Sequence, residues 1–461
     1  MQRRVLRCSL FVVLCFALVL LYGCNQNDYK NDEAKDSPIN KTGVKDQEDT
    51  NTTKTQLHFN MDIENEKVDV VADYLRADIN SSVFLLNRDF TVTEILADGV
   101  PIDIKEATKT ILLLDSYEIK QYDLPVFENN IRIIYNGSLN GSSGLTSYAT
   151  EQITPEFSFL RWETFCHPLF AKIETFEDLV AAITTPYNLS IIVSLPVDYT
   201  AIFTHSNVQD HSTENGITFS ADGELAYGEI AIAVAQYTTI ETESGIFSFL
   251  RTTNANDALS LANEVISHTH EYMNKHFGER VLENKLRVVE IPVDLGSFAI
   301  THKHITFVES NIFNSVTNMT GLVHEFIHIG WNAKTEDFFV QRSRFFDEAF
   351  TSYFEYRVMI DILGNDVAPE LLKRFENTYG IDLVPIRDFG RYEYGDLSYT
   401  IGALFLHELS ELVGIDNFDS VTTTFLEKYQ YTAVDFDLFN KYYTEMLMHP
   451  DVEEFLFKWI G

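Results

Sequence analysis

The chain has 461 residues, 45% of them hydrophobic, and carries a formal charge of -35 at pH 7. That length can bury more than one core. Such an excess of carboxylates repels polyanions, so it excludes nucleic acid as a partner and makes neutral or basic peptides the easier ligands. The cysteines are Cys8, Cys15, Cys24 and Cys166. Only one lies beyond residue 24, so no intrachain disulfide is expected in the folded part, and Cys166 reads as a small buried side chain.

In chain order, Arg3, Arg4 and Arg7 precede an apolar run at 9–22 that ends in Leu21-Tyr22-Gly23-Cys24. The run is short for a membrane span, and a small residue before a cysteine resembles a bacterial lipoprotein signal. Residues 1–23 are then the signal and Cys24 the site of lipidation. This places the folded part outside the cytoplasm, on a membrane through an N-terminal lipid anchor. Residues 24–56 are rich in Asn, Asp, Lys and Thr with little that is apolar, and read as a disordered tether.

Residues 57–237 read as strands. Phe90 and Val92 alternate before Asp98-Gly99, Ile131, Ile133 and Tyr135 alternate before Asn136-Gly137, and an apolar run at 189–195 ends at Pro196. A β-sandwich-like domain is expected there. In 238–461 the pattern becomes helical near Asp257, with Ala258, Leu261, Val265, Tyr272 and Met273 on one face and Gly278 as the stop. A buried strand is expected at Leu286–Ile291. His302 and His304 alternate with Lys303 on a later strand, where they face either substrate or solvent.

A helix is expected over 315–329, since Met319, Leu322, Val323, Phe326 and Ile327 recur at helical spacing before Gly330. It carries His324-Glu325-Phe326-Ile327-His328. Histidines four apart share a helix face and can bind one tetrahedral zinc ion, with Glu325 beside the open position as general base. A metzincin would need a glycine and a histidine where this chain has Trp331 and Lys334, so that class is excluded. In the helical stretch 346–355, Glu348 is the expected third ligand and Asp347 its competitor. Glu355 lies two turns further on, where it can hydrogen-bond a ligand histidine.

Three blocks together resemble the aminopeptidase N and leukotriene A hydrolase family of gluzincin metallopeptidases: His324 to His328, Asp347-Glu348-Ala349-Phe350-Thr351, and Tyr399-Thr400-Ile401-Gly402-Ala403. The resemblance implies an α+β multidomain fold, a β-sandwich-like N-terminal domain followed by a thermolysin-like, mainly helical zinc peptidase domain. It implies one zinc ion, a peptide or protein substrate, and Tyr399 as donor to the oxyanion, with Tyr392 and Tyr394 as nearby alternatives. His407, in the helix after Tyr399, has no assigned role.

Two departures matter. The family's aminopeptidases hold the substrate amine with the glutamate of a Gly-x-Met-Glu-Asn strand, and here Ser297-Phe298-Ala299-Ile300-Thr301 aligns with it. Ile300 stands in the glutamate's place and cannot pair with an ammonium, while Ile300 and Thr301 are expected to line the cleft on a strand that can pair with an extended peptide. An endopeptidase or atypical exopeptidase is therefore expected. The alternatives are a true aminopeptidase using another acid and a non-catalytic peptide-binding lipoprotein. The second departure is Ile329-Gly330-Trp331-Asn332, which reshapes the cleft wall. About sixty residues follow Tyr399, which leaves out the relatives' large C-terminal helical domain and implies a more open cleft.

Overall fold

The computed structural model describes residues 54–461 apart from 104, 112–116, 143–149, 205–207, 215, 279–285, 296–298, 303–304, 331–333, 336–343, 377–384, 389–396 and 430–432. The signal, Cys24, Lys303, His304, Trp331, Asn332, Tyr392 and Tyr394 lie outside these. Among the described residues, no helix is long and apolar enough to cross a membrane.

The N-terminal part is built from strands. Thr55–Asp62 buries Leu57, Phe59 and Met61 and turns the residues between them outward, the period-two pattern of a half-buried strand. It begins at Thr55, inside the stretch read as tether. Its partners are Lys67–Leu75 (antiparallel) and Pro186–Leu195 (parallel) in an eight-stranded sheet. Asp98 and Gly99 take positive φ and close the turn after Phe90–Ala97. Asn136-Gly137, by contrast, makes no turn. Gly137 stays in the strand Asn130–Gly137 because any Cβ there would stand 2.3 Å from Phe90 Cδ1.

A five-stranded sheet forms the middle layer. Its strands Ser158–Arg161 and Ala231–Ala235 are buried on both faces, which explains their continuous apolar character. Leu160, Ile232 and Val234 pack with the large sheet's Leu57, Phe59 and Val70. Phe159, Ala231 and Ala233 turn the other way, onto Val289, Ile300 and Phe307 of the next sheet. The rings of Phe159 and Phe307 are 5.2 Å apart, and the Tyr237 hydroxyl donates to the carbonyl of Glu290. Cys166 is fully buried, and burial pushes its thiol up, away from nucleophilic use.

The next sheet opens the helical part. Its strands are β1 (Tyr237–Glu241), β2 (Gly245–Leu250), β3 (Leu286–Ile291), β4 (Ala299–His302) and β5 (Ile305–Glu309), in the order β1-β2-β3-β5-β4. β2, β3 and β5 are parallel, and β1 and β4 are antiparallel edges. Helix α1 (Ala255–Phe277) joins β2 to β3 and stops at Gly278, whose φ is +81°. Helix α2 (Thr320–Gly330) starts later than its periodicity suggested, because Val316–Asn318 forms a separate 3-10 turn. Helix α3 is Phe350–Leu363, followed by α4 (Ala368–Glu376), α5 (Ile401–Val413), α6 (Ile415–Tyr429), α7 (Phe436–Leu447) and α8 (Val452–Ile460). The apolar stripe of α2 packs with Ala299 and Val308 on one face of the sheet and with Phe350, Tyr353 and Phe354 of α3.

A single π-helical turn, Phe345–Ala349, leads directly into α3. Phe345 fixes it in an aromatic cluster, with ring centroids 5.6 Å from Phe405, Phe436 and Phe439. Gly402 of α5 lets this turn approach, since a Cβ at 402 would lie 2.7 Å from Ala349 Cβ and 3.3 Å from Phe345 Cδ2. Gly402→Ala is thus expected to cost about 1–3 kcal/mol by overpacking. Thermal unfolding of the metal-free protein would read this as a lowered Tm, and an unchanged Tm would show that the turn yields freely.

Candidate metal centre

Helix α2 carries His324, Glu325 and His328, and the π turn and α3 bring Glu348, Thr351 and Glu355 against it. All six are buried. His324 Nε2 lies 3.0 Å from Glu348 Oε2 and 3.1 Å from His328 Nε2, and His328 Nε2 lies 3.3 Å from Glu348 Oε2. A tetrahedral zinc ion with bonds of about 2.0–2.1 Å sets neighbouring ligand atoms roughly 3.3 Å apart. The triangle of donors therefore has the edge lengths that zinc requires. Among the described residues, His324, His328 and Glu348 are the group able to hold a metal ion.

The far side of each imidazole is also engaged. His324 Nδ1 is 3.1 Å from Glu355 Oε2, and His328 Nδ1 is 3.2 Å from Thr351 Oγ1. Donation from both Nδ1 atoms leaves the Nε2 lone pairs for a cation, the tautomer a metal site needs. Arg374 Nη2 donates to the other oxygen of Glu355 at 3.0 Å and holds that carboxylate in turn.

The electrostatics favour positive charge at the same point. Burial opposes protonation of His324, but Glu348 and Glu355 outweigh it and raise the pKa to about 10. Burial likewise disfavours the Glu348 carboxylate, yet Arg344, His328 and His324 hold it well below the usual range. Glu325 behaves differently. Desolvation raises its pKa even though both histidines oppose the shift, and its Oε2 has no hydrogen-bond partner among the described residues. A buried, unpaired carboxylate oxygen beside a cation site can take up a proton.

Tyr399 precedes α5 and lies over His324, with ring centroids 6.0 Å apart and planes 19° from parallel. Its hydroxyl accepts from Arg344 Nη1 at 3.4 Å. Asp347, the competing ligand, is turned aside: Arg344 Nη2 donates to its Oδ2 at 2.5 Å. His407 rests its ring on Tyr356 at 5.5 Å.

Two expectations for β4 need correction. Ile300 is fully buried, on the face that packs with Val289, Phe307 and the middle sheet, so its side chain does not line a cleft. Successive residues of a strand point to opposite faces, and the site takes Ala299 and Thr301 instead. Thr301 is 3% exposed and hydrogen-bonds Glu325 and Thr306, which makes it a support for the carboxylate and withdraws it from contact with a peptide. Arg344 and Thr351 went unread in the sequence. Helical spacing offered a signal for both, at four residues before and three after Glu348. Glu355→Ala should loosen metal binding about 10- to 100-fold by freeing the His324 ring. Competition with a chelator would measure this, and an unchanged affinity would show that Glu355 does not orient the ligand.

No family model and no curated protein matches this sequence. Solved structures do match its shape. Native leukotriene A4 hydrolase of Saccharomyces cerevisiae superposes over 88% of this chain with a TM-score of 0.56 at 14% identity. The yeast enzyme in complex with bestatin gives 0.57 over 87% at 15% identity. An M1 zinc metallopeptidase of Deinococcus radiodurans bound to a Tyr-Ser-Ala substrate gives 0.55 over 88% at 14% identity. The match spans 66% of the native yeast chain and 93% of the Deinococcus chain. A β-sheet N-terminal region followed by a helical region is common to all three, and the chain has the fold of the M1 zinc metallopeptidases and leukotriene A4 hydrolase.

Proposed function

We propose that the protein is a zinc-dependent metallopeptidase that hydrolyses peptide bonds at the outer face of a bacterial membrane, with His324, His328 and Glu348 holding the metal. The observation that carries this reading is the triangle of Nε2, Nε2 and Oε2 atoms with edges of 3.0–3.3 Å beside the unpaired oxygen of Glu325. The peptide bound to the Deinococcus neighbour supports the substrate class. Zinc bound here supplies Lewis acidity and lowers the pKa of water to about 7.

The chain's own groups supply the rest. Glu325 accepts the proton of the attacking water at its free oxygen and can return it to the leaving nitrogen. Burial favours the protonated form and so suits it to the first step. Thr301 holds the carboxylate in place. The Tyr399 oxygen accepts from Arg344, and its phenol is a neutral O–H donor of the kind that suits the oxyanion developing on the substrate. Among the described residues β4 ends its sheet, and the outer side of such a strand can pair with the backbone of an extended peptide.

An endopeptidase or atypical exopeptidase fits best, because β4 consists of Ala299, Ile300, Thr301 and His302 and brings no carboxylate to meet a free amine. Matched peptides with free and acetylated N-termini, followed by mass spectrometry, test this. Internal cuts in acetylated peptides are expected, with kcat falling about 10²- to 10⁴-fold in Glu325→Gln. Stepwise loss from free termini only would instead establish an aminopeptidase with another anchor, and binding without turnover would leave a peptide-binding lipoprotein.

The location rests on Arg3, Arg4, Arg7 and the run ending at Gly23-Cys24. One acyl chain alone gives marginal membrane binding, so diacylation at Cys24 is the anchor that would hold. Cys24→Ser is expected to move the protein out of the membrane fraction and to abolish labelling by a fatty-acid probe. Retention of both in the variant would refute the lipid anchor.

A further inference from the structure

Arg344 is 2% exposed, a guanidinium buried beside the metal-binding group yet outside it. Its Nη2 lies 2.5 Å from Asp347 Oδ2 and 2.7 Å from Glu348 Oε1, its Nε donates to Asp347 Oδ2 at 3.2 Å, and its Nη1 donates to the Tyr399 hydroxyl at 3.4 Å. One rigid fork thus meets the carboxylate that competed for the metal, the spare oxygen of the carboxylate that points at the histidines, and the phenol. Asp347 and Glu348 are adjacent on the π turn. Arg344 thus engages both carboxylates of the turn, Glu348 at the oxygen that the donor triangle does not use.

We propose that Arg344 is a positioning residue that limits the acidic ligands to one oxygen of Glu348 and sets the hydroxyl of Tyr399 beside the site. This rests on the metallopeptidase reading for its effect on turnover, but its effect on the ligand set does not depend on peptide hydrolysis. The two functions separate by substitution. Lysine at 344 keeps a charge for Asp347 and Glu348 and cannot also span to Tyr399. Methionine keeps the length and loses both.

The experiment combines cobalt(II) spectroscopy with kinetics on the full chain. Cobalt(II) is added to the metal-free wild type, Arg344→Lys and Arg344→Met, and the visible d–d bands are compared. Four-coordinate cobalt absorbs strongly and more highly coordinated cobalt weakly, so the wild type and Arg344→Lys should give intense bands and Arg344→Met weak ones. Adding Asp347→Asn to Arg344→Met should recover part of the intensity. In the zinc form, Arg344→Lys should lower kcat roughly tenfold or more with KM unchanged, and less than twofold in a Tyr399→Phe background. Identical cobalt spectra in all three forms, or a Lys effect that is the same with and without the Tyr399 hydroxyl, would overturn the proposal. Should Arg344→Met fail to fold, the Arg344→Lys cycle still decides the link to Tyr399. Absence of zinc-dependent hydrolysis in the wild type would remove the metallopeptidase reading, while the cobalt spectra would still judge the role of Arg344 in the ligand set.

Discussion

The interaction on which the helical part depends is the meeting of α2 with the π turn, where His324, His328, Glu325, Glu348 and Arg344 are withdrawn from water and Asp347 is half-buried. Burying a charge without a partner costs several kcal/mol, so these groups constrain one another closely. Arg344 answers two carboxylates, Glu355 and Thr351 answer the two Nδ1 atoms, and Arg374 answers Glu355. Three carboxylate oxygens of the cluster have no hydrogen bond among the described residues: Asp347 Oδ1, Glu348 Oε1, which has Arg344 Nη2 at 2.7 Å, and Glu325 Oε2. Arg344 stands beside the first two, whereas Glu325 is answered only by the histidines and Thr301, which leaves its free oxygen for chemistry.

The cluster stays in place because its supports are apolar and crowded. Phe345 sits among Phe405, Phe436 and Phe439 while Glu348, three residues on, reaches the histidines. The wider π turn allows one short segment to serve both the aromatic core and the site, which is where such turns tend to occur. On the other side, α2 is held by Ala299 and Val308 of the sheet, and that sheet is backed by the middle layer through Phe159 and Phe307. The N-terminal strands thus contribute to the site at second hand, by fixing the floor on which α2 rests.

Much of this was legible in the sequence, for identifiable reasons. The stripe of Met319, Leu322, Val323, Phe326 and Ile327 marked α2 because its period is helical, and the alternation at Ile131, Ile133 and Tyr135 marked a strand because its period is two. Glu348 and Glu355 were readable as partners of the histidines because spacing along one helix face survives into three dimensions. Failures arose where tertiary packing overrules a local signal. Asn136-Gly137 looks like a turn but is a strand segment thinned to admit Phe90. For Arg344 the spacing to Glu348 was there to read, but its contact with Tyr399 reaches across 55 residues that include α3 and α4, and no local pattern encodes that approach.

Ile300 shows what alignment of a single residue can and cannot carry. Placing it opposite an amine-binding glutamate assumed that its side chain enters the cleft, whereas the strand turns it into the core with Val289 and Phe307. On a strand, a shift of one position exchanges the two faces, so a short alignment can hold in sequence and fail in direction. The consequence for specificity is nevertheless the same. The positions of β4 that face α2 are Ala299 and Thr301, Ile300 takes the other face, and no residue of the strand is an acid, so neither register brings one to the edge where a peptide would lie. An ammonium bound there would meet a hydroxyl already engaged by Thr306 and Glu325. The strand lacks a conventional amine anchor through its whole composition, which no choice of register can alter.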